Sequence, residues 1–183
     1  MPAIFEIATD VMQAIIPKHL QTLLSSIKVL IVDDDQYMRK VVRAMLTSIG
    51  VKYIHQADDG APGLEAIRQV NPDIVIVDWE MPTMDGLQFI QAVRSPQQFP
   101  LPDVPIILLT GHADRWRVIE AARFGVHEYL LKPVSTKALL ERIASVLLKP
   151  RKMVQIDGYY GPEPRKLVVL PEDEQNDGIF LLR

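Results

Sequence analysis

Five short runs rich in β-branched residues alternate with stretches of helical periodicity between residues 27 and 148, and few folds accommodate that alternation. The runs are 27–32, 51–56, 73–78, 104–110 and 126–131, and the helical segments are 36–48, 60–70, 84–94, 114–124 and 135–148. A strand followed by a helix and another strand packs stably as a right-handed crossover onto a parallel sheet. Ile74-Val75-Ile76-Val77 and Ile106-Ile107-Leu108-Leu109 are apolar at consecutive positions, which marks strands covered on both faces. Gly50, Gly125 and Asn71-Pro72 stop the helices. The expected fold is α/β: a doubly wound five-stranded parallel sheet in the flavodoxin-like order 2-1-3-4-5.

The 183 residues, 48% of them apolar, suit one globular domain over 27–149 with an extension at each end. Residues 1–26 read as an N-terminal amphipathic helix, carried by Ile4, Ile7, Val11, Met12 and Ile15 and interrupted at Pro17, followed by a connector. Residues 150–183 turn to Pro, Gly, Tyr and acidic residues, with one β-like run at 167–170, and read as a C-terminal extension without an effector domain. Twenty Lys and Arg against 23 Asp and Glu leave no basic surplus for a nucleic-acid backbone. The absence of cysteine excludes disulfides and thiolate metal sites. With no basic n-region and no apolar run of about 18 to 20 residues, neither a signal peptide nor a membrane span is expected, and a cytoplasmic location is.

Chemistry concentrates where the strands end. In an open parallel sheet, ligands bind beyond the carboxyl ends of the strands, where strand order reverses. The first run leads into Asp33-Asp34-Asp35, the third ends at Asp78, the fourth leads into Thr110-Gly111 and the fifth into Lys132-Pro133. Carboxylates gathered at one rim repel each other unless a cation joins them, and oxygen ligands without His or Cys favour Mg²⁺, or Mn²⁺ in its place. One carboxylate then remains as a nucleophile toward phosphorus, with Lys132, the Thr110 hydroxyl and the Gly111 N–H available for the phosphoryl oxygens.

Asp33-Asp34, Asp78, Thr110 and Lys132-Pro133 together resemble the constellation of bacterial two-component response-regulator receivers of the stand-alone, chemotaxis type. Val77-Asp78-Trp79-Glu80-Met81-Pro82 and Met84-Asp85-Gly86 resemble the turn after that family's phosphoacceptor, and Tyr129 stands where the family places a switch aromatic. The resemblance implies that Asp78 is phosphorylated by a histidine kinase or histidine phosphotransfer protein. It makes Asp34 a direct metal ligand, Asp33 a ligand directly or through water, and Glu80 a ligand through its backbone carbonyl. It further implies that Thr110 and Lys132 bind the phosphoryl group, that Pro133 follows a cis peptide, and that Thr110 and Tyr129 relay the switch to a protein target or a homodimer. Glu80 and His112 occupy the positions at which receivers tune the lifetime of the phosphoryl group.

Blander readings attach to each residue singly. Asp after a strand is a common helix cap, and Lys-Pro or Thr-Gly is usually structural. Convergence on four separate strand ends favours a shared site. Two rivals stay open: a haloacid-dehalogenase-type phosphohydrolase with Asp33 and Asp35 as nucleophile and acid, which leaves Asp78 without a role, and a docking scaffold that keeps the fold without the chemistry.

Overall fold

The computed structural model describes residues 16–111 and 114–164. The predicted helix upstream of Pro17, the β-like run at 167–170 and His112 lie outside these residues. The first described element is a helix, α1 (Lys18–Ser26), over the segment the sequence reading assigned to a connector. Pro17 starts it: a proline is tolerated at a helix amino end, where its missing N–H costs nothing, and its carbonyl accepts from the Leu20 and Gln21 amides. Ile16, Leu20, Leu24 and Ile27 then fall on one face and are buried.

The alternating elements follow as β1 (Lys28–Val32), α2 (Gln36–Ser48), β2 (Tyr53–Ala57), α3 (Gly60–Val70), β3 (Ile74–Asp78), α4 (Gly86–Val93), β4 (Ile106–Thr110), α5 (Arg115–Arg123), β5 (Glu128–Leu131) and α6 (Thr136–Leu148). The five strands pair in parallel in the order β2-β1-β3-β4-β5, as the crossover argument predicts. Helix starts are set by side-chain caps. Asp35 accepts from the Tyr37 amide, Ser135 from the Ala138 amide, and Asp85 forms a capping box with Gln88.

Two apolar layers enclose the sheet. Val29, Ile31, Ile74, Ile76, Ile107 and Leu109 face α1, α2 and α6, while Leu30, Val32, Val75, Val77, Ile106 and Leu108 face α3, α4 and α5. Strands β3 and β4 are buried along their whole length, which explains their unbroken apolar runs. Each such Val, Leu or Ile contributes roughly 1.5 to 3 kcal/mol by leaving water. That rigid centre fixes where Asp78 and Thr110 emerge.

At the opposite end of the sheet the chain adds an antiparallel hairpin, β6 (Met153–Ile156) and β7 (Tyr159–Pro162). Its turn residues Asp157 and Gly158 both have positive φ, 43° and 81°, the geometry that suits the twist of a two-residue hairpin. The hairpin closes over the amino ends of β4 and β5. Arg94 lies buried there, its guanidinium donating to the carbonyls of Gly125 (2.9 Å) and Pro102 and lying 3.3 Å from His127 Nδ1. Burial pushes its pKa down to about 10. Arg151 donates to the Val126 and His127 carbonyls, and the Tyr160 hydroxyl donates to Asp103.

Gly125, at φ 87°, and Gly161 meet backbone to backbone. A Cβ on Gly161 would lie 2.7 Å from the Gly125 Cα. Gly161→Ala is therefore expected to lift the hairpin and destabilise the fold by about 1 to 3 kcal/mol through overpacking. Thermal denaturation checks this; an unchanged midpoint would show that the hairpin contributes nothing to the domain.

Candidate functional site

The sequence-predicted residues meet at the carboxyl rim. Strand β1 delivers Asp33, buried, and Asp34, exposed, while Asp35 turns away to cap α2. Strand β3 delivers Asp78, β4 delivers Thr110, and Lys132 follows β5. Carboxylate oxygens of Asp33, Asp34 and Asp78 all lie within 4.8 Å of one another. Lys132 Nζ lies 2.8 Å from Asp78 Oδ1 and 3.6 Å from Asp33 Oδ2. The backbone around Asp33 is braced by Arg39, which donates to the Asp33 and Asp34 carbonyls, and Asp33 Oδ1 accepts from the Asp35 amide.

Electrostatically this site is unfinished. Burial raises the pKa of Asp33 and of Asp78, and Lys132 counters that only in part. Burial acts to lower the pKa of Lys132, but Asp78 and Asp33 outweigh it, so its net shift is upward. One ammonium among three carboxylates leaves negative charge uncompensated. Asp33 Oδ2 is buried without a hydrogen-bond partner among the described residues, with the Lys132 ammonium at 3.6 Å beyond hydrogen-bond reach. A hard divalent cation fits this donor set, since it would satisfy that oxygen and link carboxylate oxygens that already lie within 4.8 Å of one another.

The loop from Trp79 to Asp85 is held from two sides. The Gly86 amide donates to the Trp79 carbonyl at 2.8 Å, and a Cβ at Gly86 would run into the Asp78 carbonyl and the Trp79 Cα. That close approach is why glycine follows the capping Asp85. From the neighbouring loop, Asp59 accepts from the Gly60 and Met84 amides, and the Thr83 side chain holds its pKa below the ordinary value. Asp59 reads from sequence only as a cap for α3; its reach to the loop after Asp78 comes from tertiary packing.

The remaining predicted residues are placed as follows. A Cβ on Gly111 would meet nothing within 4 Å, so its backbone faces open space. Thr110 is buried, and its carbonyl accepts from the Lys132 amide at 2.7 Å. The Lys132–Pro133 peptide is cis. Tyr129 is half-buried against the layer containing Leu108. Glu80 lines an open pocket of about 540 Å³ with Asp34, Trp79, Met81, Pro82, Asp85 and Arg117. Arg117 was not foreseen, because nothing local marks a surface arginine on α5 as part of a site.

Carboxylates capped by a lysine in the crevice of a doubly wound sheet define an acid-pocket α/β protein, equipped to hold a cation and an anion together. Residues 29–144 match the family model of the response regulator receiver domain. The chain belongs to that family. It is 36% identical over 119 residues to the chemotaxis protein CheY of Pseudomonas aeruginosa, covering 65% of this chain and 94% of that protein. It is 33% identical over 135 residues to CheY-3 of Vibrio cholerae, covering 74% and 97%. Among solved structures, CheY4 of Vibrio cholerae superposes with a TM-score of 0.61 at 32% identity over 66% of this chain and 98% of that one. A putative response regulator from Chloroflexus aurantiacus gives 0.62 at 31% identity, over 67% and 98%. Membership places the chain in phosphorylation-dependent two-component signalling, as a switch and not a classical enzyme, and receiver domains bind Mg²⁺ through an acidic pocket. Among the described residues no helix is long and apolar enough to cross a membrane.

Proposed function

We propose that Asp78 accepts a phosphoryl group from the phosphohistidine of a histidine kinase or histidine phosphotransfer protein, and that water later removes it. The observation that carries this reading is the 2.8 Å contact of Lys132 Nζ with Asp78 Oδ1, inside a cluster of three carboxylates. A carboxylate oxygen of Asp78 forms the new O–P bond while the P–N bond to the donor imidazole breaks, and the electron pair leaves with the imidazole. Lys132 shifts from the carboxylate onto a phosphoryl oxygen, and the Thr110 hydroxyl and Gly111 N–H meet the others. Asp33, Asp34, Asp78 and the Glu80 carbonyl would hold Mg²⁺ or Mn²⁺, which when bound offsets the charge on carboxylate and phosphoryl oxygens alike.

Drawing Thr110 toward the phosphoryl group frees space beside β4, where Tyr129 turns inward and alters the surface of α5, β5 and α6. Inverting a 1:99 equilibrium requires about 5.5 kcal/mol of differential interaction, a magnitude that a dianion facing Lys132 and Thr110 can supply. The readout is a downstream protein or a homodimer, with neither nucleic acid nor membrane as partner. A cytoplasmic location is part of this reading.

Trp79 adjoins Asp78 and is nearly buried. In a Trp116→Phe background its fluorescence should change on adding Mg²⁺ and again on adding beryllofluoride, which mimics the phosphoryl group. A flat titration would remove the support for a metal-assisted acceptor.

A further inference from the structure

Two residues after Asp78, Glu80 brings a third acidic side chain to a pocket already walled by Asp34 and Asp85. Among the described residues lining that pocket, Arg117 is the one cation. Its guanidinium lies 3.7 Å from the Glu80 carboxylate, and its carbon centre lies 5.3 Å from the Trp79 ring centroid and 5.0 Å from that of Trp116. An exposed ion pair alone contributes little, because two long side chains must be frozen to form it. Here two indoles already contact the guanidinium, so Glu80 meets a charge whose position is restrained.

A free carboxylate at this place would deepen the negative field around Asp78, drawing cations in and turning anionic donors away. We infer that Arg117 is a positioning residue for phosphoryl transfer: it holds the Glu80 carboxylate on the outer wall of the pocket and neutralises it, keeping the approach to Asp78 open to an anionic phosphodonor. The inference rests on the reading of Asp78 as acceptor.

The test compares the full chain with Arg117→Ala, Arg117→Lys, Glu80→Gln and the Arg117→Ala/Glu80→Gln double variant. Mg²⁺ affinity is measured by calorimetry and labelling rate with acetyl phosphate. Arg117→Ala is expected to tighten Mg²⁺ binding and slow labelling, each by about three- to tenfold, the scale of one nearby charge in a wet site. Glu80→Gln should shift both in the opposite direction. In the Glu80→Gln background the effect of Arg117→Ala should fall to less than half its logarithmic size, because there is no carboxylate left to hold. Arg117→Lys, which keeps the charge but lacks the stacking plane, should behave more like Arg117→Ala than like the parent. Additive effects in the double variant, or a Lys variant indistinguishable from the parent, would overturn the inference in favour of simple long-range charge. If the parent chain itself takes no label, the Asp78 reading fails, while the Mg²⁺ affinities still decide whether Arg117 acts through Glu80.

Discussion

Asp78→Asn is expected to abolish phosphoryl labelling by acetyl phosphate, where the parent chain takes up one group whose linkage is cleaved by hydroxylamine. The neighbouring carboxylates do not substitute. Asp33 has Oδ1 engaged by the Asp35 amide, and Asp34 is exposed, whereas Asp78 presents an oxygen to Lys132 at 2.8 Å. Of the three, Asp78 holds its oxygen nearest the group that would receive the phosphoryl charge, 2.8 Å against 3.6 Å for Asp33. Lys132→Ala should leave some labelling but slow it by about 10² to 10³, the usual cost of losing one preorganised electrostatic contact. Mass spectrometry of borohydride-trapped peptides locates the label, and a label that persists in Asp78→Asn on Asp33 or Asp34 would reassign the acceptor.

Metal-free protein should gain stability on mild acidification and on adding Mg²⁺, for one reason. The pKa values of Asp33 and Asp78 are raised above the ordinary 3.8, burial being the main cause. The folded chain thus binds these protons more tightly than the unfolded chain does. The stability they contribute is complete below the ordinary value and is lost as pH climbs through the raised ones. Asp59 opposes this in a lower window: its pKa is depressed, so its contribution is present above 3.8 and vanishes as pH falls through the lowered value.

A metal ion replaces the proton. At about 100 times its dissociation constant, Mg²⁺ should add about 2.7 kcal/mol at neutral pH, or about 5 to 10 °C in melting temperature for a chain of this size. The acid-side gain should flatten once the ion is bound. Asp34→Asn should melt about 1 kcal/mol higher than the parent without metal, since it removes one of the mutually repelling carboxylates, and should lose most of the Mg²⁺ increment. Calorimetric scans with and without Mg²⁺ check both halves. A variant that is merely less stable, with its Mg²⁺ gain intact, would contradict a shared cation.

The two ends of the sheet divide the labour. The carboxyl rim keeps charges in mutual conflict, which a ligand can resolve. The opposite end holds Arg94 hydrogen-bonded to the Gly125 and Pro102 carbonyls under the β6–β7 hairpin. Such closure suits a domain whose functional rearrangement is confined to one face.

Local signals determined a great deal by themselves. Period, caps and stop residues located β1–α6, and the right-handed crossover rule with strand-end chemistry was enough to bring Asp33, Asp34, Asp78, Thr110 and Lys132 to one rim, because parallel strands all end on the same side. Element starts shifted by one or two residues where a cap decided them, as at Asp85 ahead of Gly86. The hairpin was legible but unread: Asp157-Gly158 between two apolar-rich segments is a strong short-range turn signal. Helix α1 was likewise marked by Leu20 and Leu24 beyond a proline that starts a helix as readily as it stops one.

What only the tertiary structure decided are contacts between side chains distant in sequence. Asp59 binds the loop after Asp78, Arg117 lies over the Trp79 ring, and Arg94 is buried at the closed end. The physical reason is common to all three. Backbone periodicity fixes which direction a strand or helix points, whereas the partner of a long polar side chain depends on which loops the finished packing sets within its few ångströms of reach.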